Sequence, residues 1–336
     1  MRETMATPRP LPGLHHITAV SGPPKINYRF YTGVLGLRFV KMTVNFDDPS
    51  TYHLYYGNRS GEPGSAVTFF PWKHAVQGKG RTREAVDMRF SVPAGSLDAW
   101  REHLESLDVR ASKVTTPFGE RSLALHDPDL LPLRIVEDPK LGNPPSGGPA
   151  NGGSAPPAIH GFHGTTLDIP DLGRTAELLE EFGWKPAGTE GGTTRYVAPE
   201  GARIGTRMDL VVNRNPAGRF GRGSIHHVAF RVVDDAHQAD WADRLRRMGF
   251  NPTPVQERSY FRSIYFREPG GVLFELATDG PGFTADEPLE TLGSELKLPP
   301  WYEPHRSRIE QALPDLRFDP EKDTPSIPAR DGNDGE

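Results

Sequence analysis

Four times along the chain, an alternating apolar run of the kind that forms a half-buried strand is followed at once by an amphipathic helix pattern. The strand-like openings are LHHITAV from Leu14, VDMRFSV from Val86, FHGTTLDI from Phe162 and IHHVAFRV from Ile225. The helix patterns after them are NYRFYTGVLG, SLDAWREHLESL, GRTAELLEEF and HQADWADRLRRMG, and each precedes two or three further short strands such as TYHLYYG and AVTFFPW. The repeated unit is β-α-β-β-β, which predicts an α+β fold. One unit has an apolar sheet face that it cannot bury alone, so the units must pair into curved sheets that enclose a cleft.

Boundaries follow the glycines and prolines, 36 and 34 of 336 residues, which crowd between the second and third units. The stretch PKLGNPPSGGPANGGSAPPAI (Pro139 to Ile159) has almost nothing apolar to bury and reads as a flexible linker. The predicted organisation is a tail (1–13), an N-terminal pair of units (14–138), the linker (139–160), a C-terminal pair (161–279) and an extension (280–336). Within the extension, EPHRSRIEQALPDL reads as a helix with Ile309, Ala312 and Leu313 on one face, packing across a domain. Asp319 to Glu336 reads as a disordered tail.

Composition then removes whole classes of function. The chain has no cysteine, which excludes disulfides, thiolate metal sites and a cysteine nucleophile, so any metal must rest on His, Asp or Glu. A net charge of −5 without a long basic run argues against a nucleic-acid partner. No apolar run approaches the roughly 20 residues that span a bilayer, and MRETMATPRPLPG lacks the apolar core of a signal peptide. The expectation is a cytoplasmic protein without membrane contact, and the absence of a glycine-rich nucleotide fingerprint argues against a nucleotide cofactor.

Strand parity narrows the candidate site. If Ile17 packs into the core, His16 and Thr18 face the concave side, and alternation keeps His15 and His16 from sharing one cleft. The same parity separates His227 and Ala229 from His226 and Val228, while Glu275 shares its face with Leu273 and Ala277. A carboxylate in such company costs several kcal/mol if it is buried unpartnered. Either an arginine from another strand or a metal held jointly with His16 and His227 has to answer it. Two histidines and one carboxylate fill three octahedral positions and leave three open. The second and third openings lack a histidine pair, and LPLRIVED puts Arg134 about where the fourth unit has Glu275. Only the first and fourth units are equipped, and these two are expected to share a sheet.

Over roughly Leu14 to Asp279 the fourfold pattern resembles the vicinal oxygen chelate superfamily, which includes glyoxalase I, the bleomycin-resistance proteins and the extradiol dioxygenases. The resemblance implies four βαβββ modules arranged as two such domains. More specifically, LHHITAV, GLRFVKMTVNFDDPSTYHLYYG, GSAVTFFPW and PGGVLFELATD look like ring-cleaving dioxygenases of the hydroquinone 1,2-dioxygenase type. That likeness implies Fe(II), with Mn(II) as the alternative, bound by His16, His227 and Glu275. Around it the likeness sets His15, Thr18, His226, Arg258 and Tyr265. The implied partners are O2 and an aromatic diol, a hydroquinone or substituted hydroquinone, with no external reductant.

In this reading His15 or His226 exchanges a proton, Tyr265 donates a hydrogen bond to substrate oxygen, and Arg258 either stabilises developing anionic charge or pairs with Glu257 or another acid at the surface. Phe69, Phe70, Trp72, Tyr260 and Phe261 line an aromatic pocket or fill the core. Two rival readings use the same fold. One is a metal-dependent lyase or isomerase of the glyoxalase type, which asks for a fourth ligand and a carboxylate base; the other is a metal-free protein that sequesters an aromatic ligand. A homo-oligomer is left open.

Overall fold

The structure, a computed structural model, describes residues 8–72, 74–79, 82–141 and 156–316. Most of the expected linker (142–155) and the tail from Asp319 lie outside the described residues. The first unit runs β1 (Leu14–Ser21), α1 (Pro24–Arg29), β2 (Arg38–Val44), β3 (Tyr52–Gly57) and β4 (Ala66–Pro71). A two-residue strand, β5 (Glu84–Ala85), precedes the second unit of β6 (Met88–Pro93), α2 (Leu97–Ser106), β7 (Ser122–His126) and β8 (Pro132–Asp138). The third contains β9 (Gly161–Ile169), α3 (Gly173–Glu181), β10 (Lys185–Glu190), β11 (Thr193–Val197) and β12 (Arg207–Val212). The fourth contains β13 (Ile225–Val232), α4 (Asp235–Arg247), β14 (Gln256–Glu257), β15 (Arg262–Arg267) and β16 (Leu273–Thr278), and α5 (Arg306–Ala312) follows.

The fold is α+β with the fourfold module read from the sequence, and the second unit is the irregular one. Between α2 and β7 its chain forms no ladder with the sheet and pairs with it as strand only at isolated bridges, Ala111 to Leu125 and Thr115 to Ser122. Pro117 supplies no N–H to a ladder, and Phe118 beside it turns left-handed at φ 52°. A full strand cannot form there.

Two eight-stranded sheets carry the architecture. One has the order β14-β15-β16-β13-β1-β4-β3-β2, so the first and fourth units share it; the other, β10-β11-β12-β9-β6-β8-β7 with β5 on β9, joins the second and third. In the first sheet, β1 lies antiparallel to β13 and parallel to β4, which places the two histidine-bearing strands side by side at the centre. The helices cover the outer faces. Helix α4 is capped by Asp234, whose side chain accepts from the His237 N–H at 2.7 Å, and it ends in Arg244, Arg246 and Arg247, which suit the negative end of the helix dipole. Its Trp241 and Leu245 are fully buried, with Phe182 and Phe230 packed beside or across from them. No helix among the described residues is long and apolar enough to cross a membrane.

The extension folds back over the first sheet. Ile309 and Leu313 are buried as expected, whereas Ala312 is exposed because α5 stops there and the chain turns extended at Leu313. The Tyr52 O–H donates to the Pro314 carbonyl at 3.0 Å, tying α5 to β3. Closer to the concave face, Lys41 of β2, with a fully buried side chain, meets Asp286 at 2.6 Å and also pairs with Glu287. The segment after β16 is thereby held over the cleft by an ion triad in which Lys41 and Glu287 have left water and Asp286 remains exposed.

A second junction joins the two sheets. In the β7–β8 turn, Asp127 accepts from the backbone of Asp129 and Leu131 and from the Tyr31 O–H of the first unit, while Asp129 accepts from the Gly22 N–H at 2.7 Å. Burial, and then the neighbouring Asp129, push the Asp127 carboxyl up from its ordinary 3.8 to about 7.

Replacing Lys41 by Met keeps volume but leaves the buried Glu287 without its cation, so urea unfolding should show a loss of roughly 3 kcal/mol; a loss under about 0.5 kcal/mol would mean the pair contributes nothing. For Asp127 the folded pKa is raised, so the stability gained by keeping it protonated is full below about pH 4 and lost as pH rises through 7. Asp127→Asn cannot ionise. It should flatten that decline and exceed the wild type at pH 8 by on the order of 2–4 kcal/mol, read from urea melts at pH 5 and pH 8.

Candidate metal centre

The residues singled out from the sequence meet on the concave face of the first sheet. His16 Nε2 lies 3.2 Å from Glu275 Oε2, His227 Nε2 lies 2.9 Å from the same oxygen, and the two nitrogens are 3.2 Å apart. All three residues are buried, and their potential ligand atoms fall within 4.8 Å of one another. Ladder registry explains the convergence. Thr18 pairs with His227, Ala229 with both His16 and Glu275, and Glu275 with Tyr265, so neighbouring strands present these side chains at one level.

Alternation had separated the members of each histidine pair, and here the structure differs. Between Leu14 and His16 the partner strand advances one residue while β1 advances two; between Thr18 and Ala19 the mismatch reverses, with β13 advancing from His227 to Ile225. His15 and His226 are thus each the extra residue of a β-bulge, and a bulge re-aims its side chain. His15 Nδ1 consequently reaches His16 Nδ1 at 2.9 Å, and His226 Nδ1 reaches His227 Nδ1 at 2.8 Å. Each pair is therefore one unit, its second ring turned toward Glu275 and its first ring holding the second from behind.

Proton placement follows from one acceptor. The Thr278 carbonyl can only accept, so His15 donates to it through Nε2 at 3.1 Å. Burial and the adjacent His16 push His15 down to about 3, so it is neutral at pH 7 and its Nδ1 is bare. His16 must then donate from Nδ1, and in its neutral form it turns an unprotonated Nε2 to Glu275. Burial pushes Glu275 up, and only positive charge on the side of His16 and His227 holds the carboxylate well below its usual range, a charge that neutral rings leave to a cation between them. Neither short histidine contact has hydrogen-bond geometry, and the buried Oε2 lacks a hydrogen-bond donor. Its other oxygen accepts from Ser263 Oγ. In the matching tautomer of the His226–His227 pair, three acceptor atoms face one another without a shared proton, a set that fits a divalent cation.

The remaining predicted residues surround this cluster. The Tyr265 ring lies 5.7 Å from that of His227, and Arg258 Nε donates to the Tyr265 hydroxyl at 3.2 Å. Burial, with the nearby Glu275 charge, keeps the Tyr265 phenol above its ordinary range and protonated. Arg258 does not pair with Glu257, which Arg262 takes; it has another acid, the exposed Asp47, at 3.5 Å, while its Nε reaches Tyr265. The expectation that His226 titrates near neutrality is also corrected: burial and then His227 push it down to about 3. Thr18 hydrogen-bonds Thr68 at 2.7 Å.

Of the aromatics, Phe261 packs 4.9 Å from His16 and Phe70 lies 5.6 Å from His226, so both wall the site. Trp72 stacks behind Phe70, and Tyr260 belongs to the cover, donating to Asp286 at 2.9 Å. Phe69 faces away, into the core against Tyr31. Sequence reasoning missed His53, Tyr55, Ser263 and Lys41. The signal was present for His53 and Tyr55, which alternate with the core residues Leu54 and Tyr56 in TYHLYYG.

The second sheet shows why only one cleft is equipped. Its ladder sets Arg89 opposite Arg134 and Gly164, as Ala229 is set opposite Glu275 and His16. Arg134 therefore occupies the position of Glu275, and Gly164 that of His16. A Cβ on Gly164 would meet the Arg207 carbonyl at 2.0 Å, so no histidine fits. Arginine–carboxylate pairs line this cleft around a cavity of about 300 Å³: Asp209 takes both Arg89 and Arg195, and Glu120 takes Arg195 and meets His163 at 3.2 Å.

Comparison with known proteins agrees with this geometry. Residues 166–276 match the model of the Glyoxalase/Bleomycin resistance protein/Dioxygenase superfamily. The chain is 46% identical to "Putative ring-cleaving dioxygenase MhqO" of Bacillus subtilis over 90% of its length and 95% of the relative's. It is 34% identical to the chlorohydroquinone/hydroquinone 1,2-dioxygenase of Sphingobium indicum over 93% of this chain and 98% of the other. The crystal structure of a "putative dioxygenase" from Bacillus subtilis superimposes with a TM-score of 0.85 at 43% identity, covering 92% of this chain and 98% of that one. The chain belongs to the glyoxalase/bleomycin resistance protein/dioxygenase superfamily, as one of its ring-cleaving dioxygenases.

Proposed function

We propose that this protein opens the ring of a para-diol, a hydroquinone with or without substituents, by extradiol-type insertion of O2, with Fe(II) held by His16, His227 and Glu275. The observation that carries the reading is the buried Glu275 Oε2, short of a proton donor and faced by two imidazole nitrogens. The cluster offers three ligand side chains among the described residues, which supports ring cleavage over a glyoxalase-type lyase that asks for a fourth. The Sphingobium relative, named for hydroquinones, supports the substrate class.

When bound, Fe(II) supplies Lewis acidity toward a phenol oxygen and the one-electron chemistry that O2 requires. The chain's own residues do the rest. Ser263 fixes one oxygen of Glu275, leaving the other for the ion. His15 and His226 hold the two ligand rings through Nδ1 and, being neutral, add no positive charge beside the cation. The protonated Tyr265 phenol is placed to donate to a substrate oxygen, with Arg258 behind it to strengthen that donation as negative charge develops. Phe261 and Phe70 exclude water and give a flat ring apolar faces to pack on.

Anaerobic reconstitution with Fe(II), followed by oxygen-electrode traces with hydroquinones and catechols, tests the reaction. Uptake with hydroquinone and a ring-opened product is expected; no uptake with either diol despite bound iron would sink the reading. His16→Ala, His227→Ala and Glu275→Ala should each abolish both iron retention and uptake while the circular dichroism spectrum stays native. Full retention of both by any one of them removes that residue from the ligand set. Tyr265→Phe and His226→Ala should keep the iron but slow turnover roughly 10–100-fold, and iron loss in Tyr265→Phe would show that the phenol supports the metal instead of the substrate.

A further inference from the structure

Away from Tyr265 and Arg258, the cleft is bounded by a hydrogen-bonded chain that crosses three strands. Thr18 Oγ1 on β1 lies 2.7 Å from Thr68 Oγ1 on β4, Thr68 Oγ1 lies 2.9 Å from His53 Nε2 on β3, and His53 Nδ1 lies 2.8 Å from the Tyr55 hydroxyl. Strands β3 and β15 lie on opposite sides of the central β13–β1 pair, so this chain and Tyr265 flank the candidate metal centre from two directions.

The chain has a polarity. The polarity that satisfies the buried Tyr55 O–H has it donate to His53 Nδ1. His53 then carries its proton on Nε2 and donates to Thr68, which donates to Thr18. The Thr18 O–H at one end and the Tyr55 lone pairs at the other have no further hydrogen-bond partner among the described residues, although Thr18 is fully buried and Tyr55 nearly so. Each end makes one hydrogen bond and keeps one more on offer. The strands that carry them are two apart, roughly 10 Å, a separation on the scale of a six-membered ring with one hydrogen bond at each end.

We propose that these two ends bind the two hydroxyl groups of a para-diol: Thr18 donates to the oxygen beside the metal centre, and the Tyr55 oxygen accepts from the far hydroxyl. The inference rests on the dioxygenase reading and names the residue that selects its substrate. An ortho-diol carries its oxygens side by side and cannot reach Tyr55 from the same seat. His53 touches neither oxygen. It is a positioning residue, whose two nitrogens aim the hydroxyls on either side.

The test pairs two ligands with two variants of the Fe(II)-loaded protein, using anaerobic calorimetry. Hydroquinone should bind the wild type roughly tenfold more tightly than phenol, which lacks the far hydroxyl. Tyr55→Phe should erase that preference and leave phenol binding unchanged, and His53→Leu should erase the preference. A merely structural role weakens both ligands alike; that outcome, or an unchanged preference in Tyr55→Phe, overturns the proposal. If the preference and its loss are observed while no diol supports oxygen uptake, the dioxygenase reading falls and the para-diol site stands.

Discussion

A fully buried carboxylate at the centre of a sheet sets the terms for this molecule. Glu275 sits on β16 between β13 and β15, under a covering segment, and one of its oxygens has no hydrogen-bond donor. Leaving such a charge unanswered would cost several kcal/mol. The strands around it are organised to answer it: two histidines from two different units converge on one oxygen, and a serine from the neighbouring strand takes the other. That convergence requires β1 and β13 to be adjacent, so the first and fourth units share a sheet even though more than 200 residues of sequence separate His16 from His227.

The second sheet has the same strand logic and the opposite solution. At the equivalent positions it carries Arg134 and Gly164, and its buried acids are neutralised by guanidinium groups built into the chain. In one cleft the fold supplies its own cations to its buried acids. In the other, His16, His227 and Glu275 turn toward one another without a guanidinium between them, an arrangement that fits a cation from outside. One architecture thus gives a structural half and a chemical half, the distinction lying in a handful of side chains.

Around the chemical half, polar groups are arranged by strand. The β15 side contributes Tyr265, Arg258 stands behind it, and the β3–β4 side contributes the chain from Tyr55 to Thr18. The Lys41 triad anchors the cover, so an aromatic guest would meet apolar rings on its faces and hydroxyl groups at its edge. Low dielectric strengthens every one of these polar contacts and makes any unpaired one costly. The site is accordingly demanding about the shape of what it holds.

Much of this was legible in the residues. The 2-residue alternation and the helix patterns that follow it gave the fourfold module, because burying one sheet face dictates that pattern whatever the partner strand is. The same alternation set His16 toward the concave face and gave the parity of His227 and Glu275, and the missing histidine pairs in the second and third openings pointed to the units that carry the chemistry. Parity failed at His15 and His226, since a β-bulge is a mismatch between two strands and neither strand announces it alone. Nor could the residues of TYHLYYG declare a hydrogen-bonded chain whose other members lie on β4 and β1. Periodicity along the chain determined which face each side chain takes; only the tertiary structure decided which faces meet, because register and proton order are set by partners distant in sequence.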